Sequence, residues 1–442
     1  MQARPLPSHP NLEQFKKKAK DLLKASADPQ ALHAWAVQWV ESYSNEEAEV
    51  QARLRGIAVT PPLSEFAHRE EIARIERALQ SSKLAKPEPK LADAQFFIAR
   101  ACGFESWPKL IRQVKALQHS DSVSARFEAA ADAIVSGDID TLSRLLRQDP
   151  GLTTARSQRA HNATLLHYVA ANGIEGFRQK TPKNIVEITK LLLDSGADIE
   201  ATSIAYGGPS TVLGLAATSV HPVRAGVDEP LLQVLLDHGA SMESPGGAGN
   251  GQSAILGCLT NGRGAAATLF AARGARLNLE TAAGAGRLDV VKSFFNHEGE
   301  LKPTATQRQL QRGFLWACEF GHKEIVEYLL DRGADLRDQA ETSETGLHWA
   351  VVGRQIPVIQ LLLQRGAPLE ELNAFGGTAL GQAGWSFENT PDVDFYPVFE
   401  ALLAAGAKIE GGWLKWLDEV PTRSDAEKSR LAALLRRYGA KT

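Results

Sequence analysis

The sequence predicts an all-α protein: a stack of two-helix repeats over residues 121–442, preceded by a small helical module at 1–120. Three observations carry this reading. A leucine-rich segment closed by Gly-Ala recurs, ending at Ala197, Ala240, Ala334, Ala367 and Ala407, with weaker copies ending at Ala275 and Ala440. A second short apolar segment lies upstream of it, as in Thr164 to Ala170, Gly313 to Ala317 and Thr345 to Ala350. Residues 1–120 lack the pattern altogether. Self-similarity at a fixed period marks stacked supersecondary units, none of which covers its apolar face alone.

Each element of the unit has a local cause. Thr164 and Thr345 offer a hydroxyl to the orphan amides of a first helical turn, and apolar residues follow at helical spacing. A glycine (Gly173, Gly321) ends this first helix. The second, for example Glu324 to Leu330, is amphipathic, and Gly333 closes it as a left-handed residue. These residues resemble the ankyrin repeat, whose pattern runs Thr-Pro-Leu-His, Ala, Gly, Val-Val, Leu-Leu, Gly-Ala. The proline after the cap threonine is missing throughout. The resemblance implies an ankyrin-repeat solenoid of about nine helix-turn-helix units with short hairpin connections. They start near Ser122, Asn162, Gly208, Gly251, Leu277, Leu310, Ser343, Gly376 and Gly411, the first and last being atypical caps. The fifth follows Gly274-Ala275 directly and is expected to lack its hairpin.

Three units are lengthened. Thr345 to Gly366 spans 21 positions, as do Arg312 to Gly333 and Ser253 to Gly274. Thr164 to Gly196 spans 32, and Thr211 to Gly239 and Thr378 to Gly406 span 28 each. The excess falls between the two helices, at 174–184, 219–229 and 387–397. Insertions at one position of a repeat emerge on one edge of the stack, so these segments are a candidate lip. Its candidate binding residues are Arg178, Lys183, Asp392, Asp394 and Tyr396; neutral length drift is the competing explanation.

In the N-terminal module, Asn11 caps a helix through Ala25, and further helices are expected at Pro29–Ser42, Ser64–Gln80, Leu91–Ala101 and Trp107–Gln118. The Lys86–Lys90 stretch, with Pro87 and Pro89, reads as a hinge. Asn11 to Gln14 and Gly103 to Leu110 resemble the helical leader that precedes repeats in many bacterial ankyrin proteins. Lys16, Lys17, Lys18 and Lys20 share a helix without interleaved aromatics, so a solvated face is expected and no nucleic-acid partner.

Composition excludes several classes. The net charge is −3 at 23% charged residues, which argues against a polyanion partner for the whole chain. Cys102, Cys258 and Cys318 are widely spaced, neither a disulfide framework nor a zinc motif. Apolar signal sequence and membrane-length run are both missing from the sequence, so a cytoplasmic protein is expected, taken as a monomer. The sequence carries no HExxH, no Walker loop and no nucleophile elbow. No catalytic residue, metal or cofactor is therefore expected. Gly246 to Gly251 lacks a preceding strand and a Lys-Ser/Thr and reads as an inter-repeat hairpin, not a phosphate cradle. His167 and His348 are expected to bond locally within their caps.

The sharper signal is aromatic. In the ankyrin fold the position after the motif histidine faces the concave groove, and here it holds Tyr168, Trp316 and Trp349; Phe320 and Trp385 lie one turn further along. Tryptophans along a groove are raw material for a binding hot spot. The leading expectation is a non-catalytic protein-binding scaffold using this concave stripe. The alternatives are an enzyme or small-molecule binder, with the N-terminal helices and inserts closing over the groove, and a dedicated partner of one client protein.

Overall fold

The computed structural model describes residues 3–7, 10–55, 65–242, 254–337, 339, 343–391 and 393–441. They form two compact units, Met1–Ala254 and Ile255–Thr442. The first unit opens with the predicted helices. Leu12–Ala25 starts where the Asn11 side chain accepts the Glu13 amide hydrogen, and Leu91–Ala101 and Trp107–Leu117 match expectation to within a residue. The second helix runs from Pro29 to Arg55, well past the expected end at Ser42, because neither glycine nor proline interrupts it before Gly56. Lys86–Lys90 is a turn in which Glu88 takes φ 57°. These helices hold an apolar core of their own, in which Trp35 and Trp39 stack at 4.9 Å and Trp35 meets the edge of Phe97. Of the lysine run, Lys16 pairs with Glu13, and Lys18 lies over the rings of Phe15 and Trp39.

Helix pairs follow. In the first unit they are Val123–Ser136 with Ile139–Gln148, Leu165–Ala170 with Ile185–Asp194, and Val212–Thr218 with Asp228–Asp237. The six-residue Leu165–Ala170 segment is a 3₁₀ turn and not the expected α-helix, since Ala171 turns left-handed (φ 48°) and the inserted segment leaves at once. A two-stranded hairpin, Thr202–Ala205 against Gly208–Thr211, connects two repeats. In the second unit Ala254–Thr260 pairs with Gly264–Ala272, and Leu279–Gly284 with Leu288–Ser293. Gln307–Phe320 then pairs with Lys323–Leu330, and Gly346–Val352 with Ile356–Gln364. Ala379–Asn389 with Tyr396–Ala404 and Trp413–Glu419 with Asp425–Arg437 complete it. The Gln307–Phe320 helix starts earlier than expected because Thr306 and Gln309 form a capping box. Residues 246–251, read as a hairpin, lie outside the described residues.

The Gly-Ala signature has a common geometry. All seven motif glycines (196, 239, 274, 333, 366, 406 and 439) are left-handed, with φ between 82° and 98°. The following alanine amide donates to the carbonyl of the leucine or phenylalanine five positions back, as in Ala334 to Leu329 (3.0 Å) and Ala367 to Leu362 (2.9 Å). This is the Schellman closure, and only glycine adopts the required φ without strain.

Polar side chains in the turn after the first helix tie repeat to repeat. Asn184 donates to the Gly137 carbonyl (2.9 Å) and Gln355 to that of Glu319 (3.0 Å), while His322 Nε2 contacts the Gly284 carbonyl at 3.0 Å. Gly353 sits where a Cβ would come within 1.8 Å of the Glu319 carbonyl oxygen, so no other residue fits this approach.

The motif histidines complete their caps as expected. Nδ1 of His167 accepts the Thr164 amide hydrogen and that of His348 accepts the Thr345 amide hydrogen (3.2 and 3.3 Å). The ring proton of His348 therefore sits on Nε2, which donates to the Gly377 carbonyl of the next repeat at 3.2 Å. Burial pushes the His167 imidazole down to about 4 and that of His348 below its ordinary value. The unfolded chain thus binds protons that the folded one refuses. The stability contributed by neutral His167 is full above about pH 6.5 and lost as pH falls through about 4. The urea midpoint of the wild type should fall further between pH 7 and pH 4.5 than that of His167→Asn; equal falls would exclude this linkage.

Candidate functional site

The expected lip is an interior plug in the first unit. The 174–184 segment turns inward through a short 3₁₀ turn, Gly176–Arg178, and buries Glu175, Phe177 and Arg178. Arg178 therefore corrects the sequence reading: it is 2% exposed and unavailable to a partner. Its guanidinium meets Glu128 (2.6 Å), Asp132 (2.7 Å) and Glu175 (3.4 Å). Arg159, missed from sequence, lies 2.6 Å from the same Glu175 and donates to the Cys102 carbonyl (2.6 Å), binding the N-terminal helices to the helix pairs that follow. Tyr168 is likewise a correction. It is fully buried, donates to Glu175 (3.3 Å) and meets Phe127 edge-on, so it belongs to the core and not to an exposed stripe.

Burial alone would raise the Glu175 carboxyl, but His161, Arg159 and Arg178 overcome it and hold the group far below the carboxylate range. Burial and then the Glu175 charge push the Tyr168 phenol well up. Of the proposed lip on this segment, only Lys183 is exposed. A cavity of about 410 Å³ borders this network, lined by Pro5–Pro7, Glu128, Asp132 and the two arginines.

The other inserts are also structured. The second forms a short helix, Val220–Ala225. The third begins as an extra turn of the Ala379–Asn389 helix, and the buried Arg423 guanidinium donates to the carbonyls of Phe387, Thr390, Pro391 and Val393 at 2.7–2.9 Å. Asp394 and Tyr396 are held by Arg430, at 3.4 Å from the carboxylate and 3.9 Å from the ring centre. Asp392 lies outside the described residues.

The rest of the aromatic stripe lies in the second unit. Trp316 stacks on Phe320 (6.2 Å, 22°) and tilts against Trp349 (5.9 Å, 55°), and all three are half-buried. Phe320 lies against Gly264, where a Cβ would come within 2.5 Å of the ring. Trp316 Nε1 donates to Glu280 (3.1 Å), which Arg312 also contacts at 2.7 Å. Trp349 Nε1 finds no acceptor among the described residues. Glu319, between Trp316 and Phe320 in sequence, has its carboxyl pushed up to about 8 by burial.

Trp385 differs: 61% of it is exposed. It borders a depression of about 360 Å³ with Glu388, Trp413 and Trp416, on a floor of glycines 381, 384, 411 and 412. Trp413 and Trp416 meet near-perpendicularly (5.3 Å, 77°), and Trp416 Nε1 donates to Glu388 Oε2 at 3.1 Å. The sequence reading missed both residues by treating the last repeat as a plain cap. Their i, i+3 spacing directly after Gly411-Gly412 was the available signal.

A family model of ankyrin repeats, in three copies, matches residues 279–374 and again 314–410. Residues 279–410 form ankyrin repeats. Among curated proteins, the chain is 41% identical over 68 residues to an E3 ubiquitin-protein ligase, hecd-1, of Caenorhabditis elegans, covering 15% of this chain and 2% of that one. It is 46% identical over 66 residues to diacylglycerol kinase iota of Rattus norvegicus, covering 14% of this chain and 6% of that one. The match thus spans only a few per cent of those relatives' lengths. Among solved structures, the human ASB11 ankyrin repeat domain is 22% identical and aligns with 64% of this chain and 99% of its own, at a TM-score of 0.33. The aromatic face just described therefore stands on ankyrin repeats, with Trp413 and Trp416 lying directly beyond the matched residues.

Two measurements check this description. Glu175→Ala leaves two buried arginines without their shared carboxylate, so it should cost about 3–5 kcal/mol in chemical denaturation, whereas Lys183→Ala should leave the midpoint unmoved. Equal effects would return the first insert to the surface. The folded state also holds the Glu319 proton, so the stability this provides is full below about pH 4.5 and lost as pH rises through about 8. Glu319→Gln should gain on the wild type in thermal midpoint between pH 6 and pH 9; a constant difference would refute the shift.

Proposed function

We propose that the chain is a non-catalytic protein-binding scaffold working through the aromatic face of its second unit. Ankyrin repeats are interaction scaffolds whose stacked units present extended binding surfaces. The observation that carries the reading is Trp385, held open to solvent on a repeat whose neighbouring tryptophans are half-buried. Tryptophan is the side chain most enriched at binding hot spots, and an exposed large apolar group near others marks an interaction surface. Leu372 and Phe375, 52% and 81% exposed on the preceding connection, extend the apolar character of the same repeat.

The reading as an enzyme or small-molecule binder would draw on perturbed titratable groups, which collect at functional sites. The most perturbed cluster, Glu175, Tyr168 and Arg178, is spent on its own ion pairs and hydrogen bonds inside the first unit, each side chain being buried. That chemistry is structural.

Affinity capture from a cell extract should recover a set of proteins with wild-type chain. With the Trp349→Ala/Trp385→Ala double variant the yield should drop about tenfold. Lys183→Ala, far from this face in sequence and exposed, serves as the control and should capture as wild type does. Unchanged capture by the double variant would overturn the proposal.

A further inference from the structure

We infer that Trp385, Trp413, Trp416 and Glu388 form a cage for a quaternary ammonium group, presented as a trimethylated lysine of the protein partner. The inference rests on the scaffold reading and adds the chemistry of what is recognised.

A depression lies between the Ala379–Asn389 and Trp413–Glu419 helices. Its volume of about 360 Å³ lies within the range of small-ligand sites. Its walls are three indoles and its only charged lining group is a carboxylate. Trp413 and Trp416 stand at 77° to one another with centroids 5.3 Å apart, so their faces form a corner and not a parallel stack. Trp385, on the neighbouring repeat, adds a third ring that is free of the aromatic contacts binding the other two. The floor is glycine. A Cβ at Gly384 would come within 3.1 Å of the Trp413 ring and 3.6 Å of the Trp416 ring, so the missing side chain there leaves the corner unfilled.

Indole faces carry negative electrostatic potential and attract cations, and tryptophan does so best. Glu388 strengthens that sign. Its Oε2 accepts from Trp416 Nε1, which orients the ring and leaves the negative charge at the wall of the depression. An unmodified ammonium gains less here, because apart from the Glu388 carboxylate the walls offer its three N–H donors only ring carbons. A trimethylammonium has no N–H to satisfy. It keeps its full charge, offers methyl groups to the rings and enters without stranding a donor. The surroundings thus favour the methylated cation over the bare one, and a cation over a neutral group of equal shape.

The repeat beyond the matched residues places Trp413 and Trp416 on its seven-residue first helix and leaves both partly exposed. Internal packing explains one edge of each ring, through the contacts with Phe399 and Phe387, and leaves the faces toward the depression without a partner.

The test is tryptophan fluorescence and calorimetric titration of the full chain with a five-residue peptide carrying one trimethyllysine flanked by glycines. Parallel arms use the same peptide with unmodified lysine, a peptide in which a neutral tert-butyl carbon replaces the trimethylammonium nitrogen, and free choline. The trimethyllysine peptide should bind saturably, and the lysine and neutral peptides about tenfold more weakly. Trp385→Ala, an exposed position whose loss leaves the core intact, should weaken binding at least as much, and Glu388→Gln should weaken it several-fold with an unchanged thermal midpoint. Equal binding of the neutral peptide would overturn the cage, as would wild-type affinity in Trp385→Ala. Choline binding more tightly than the peptide would overturn the assignment to a partner's lysine. Loss of capture in the tryptophan double variant without any ammonium binding sinks this inference alone. Ammonium binding with capture indifferent to that variant sinks the scaffold reading alone.

Discussion

The hydrogen bond from the alanine amide of each Gly-Ala pair back to the end of its helix is the interaction on which the stacking depends. It forms only if the intervening glycine turns left-handed, and all seven do. That bond ends the second helix at the same point in every repeat and sends the chain off in the same direction. Constant geometry is what allows a turn side chain such as His322 or Gln355 to reach a carbonyl in the preceding repeat. The apolar faces then meet in register, and the core of the second unit runs continuously from Leu279 to Leu435. Helices of seven to ten residues would be marginal alone; here they draw stability from neighbours.

The three lengthened repeats show how such a stack absorbs extra chain. The first and third inserts each meet a buried, paired arginine: Arg178 and Arg159 around the first, Arg423 beneath the third. The two solutions differ electrostatically. Arg423 is satisfied mainly by backbone carbonyls, which the loop must pair in any case. Arg178 and Arg159 instead share buried carboxylates, which demands that every partner remain in place. The first arrangement fixes a loop, whereas the second joins the N-terminal helices to the helix pairs that follow through Cys102, Glu128 and Glu175.

Periodicity made most of this fold legible in the sequence. The helix pairs, the lost hairpin before Leu279 and the cap roles of Thr164, His167, Thr345 and His348 all follow from short-range rules about helix ends. What the residues hid was depth. Arg178 and Tyr168 were expected at the surface because a charged insert and a groove position usually lie there; burial was decided by Arg159, Glu128 and Asp132, which lie far from Arg178 in the chain. Part of the aromatic face was readable from repeat spacing. Trp316, Phe320 and Trp349 do come together, although the rings pack against one another and Phe320 also against Gly264. Trp413 and Trp416 escaped because their repeat departs from the pattern that located the others.

That departure is informative about how a repeat array acquires a specific surface. Trp316 shares its ring with Phe320 of its own helix and with Trp349 of the next repeat. Its indole nitrogen donates to Glu280. Such a ring is costly to move and exposes little. By contrast, Trp385, Trp413 and Trp416 border a shared depression, with Trp385 exposed. Gly384 matters there, because a Cβ at this position would press on the Trp413 ring at 3.1 Å. The same kind of side chain that packs against its neighbours at Trp316 therefore forms a partly open aromatic corner here, with Glu388 supplying the one charge of its lining.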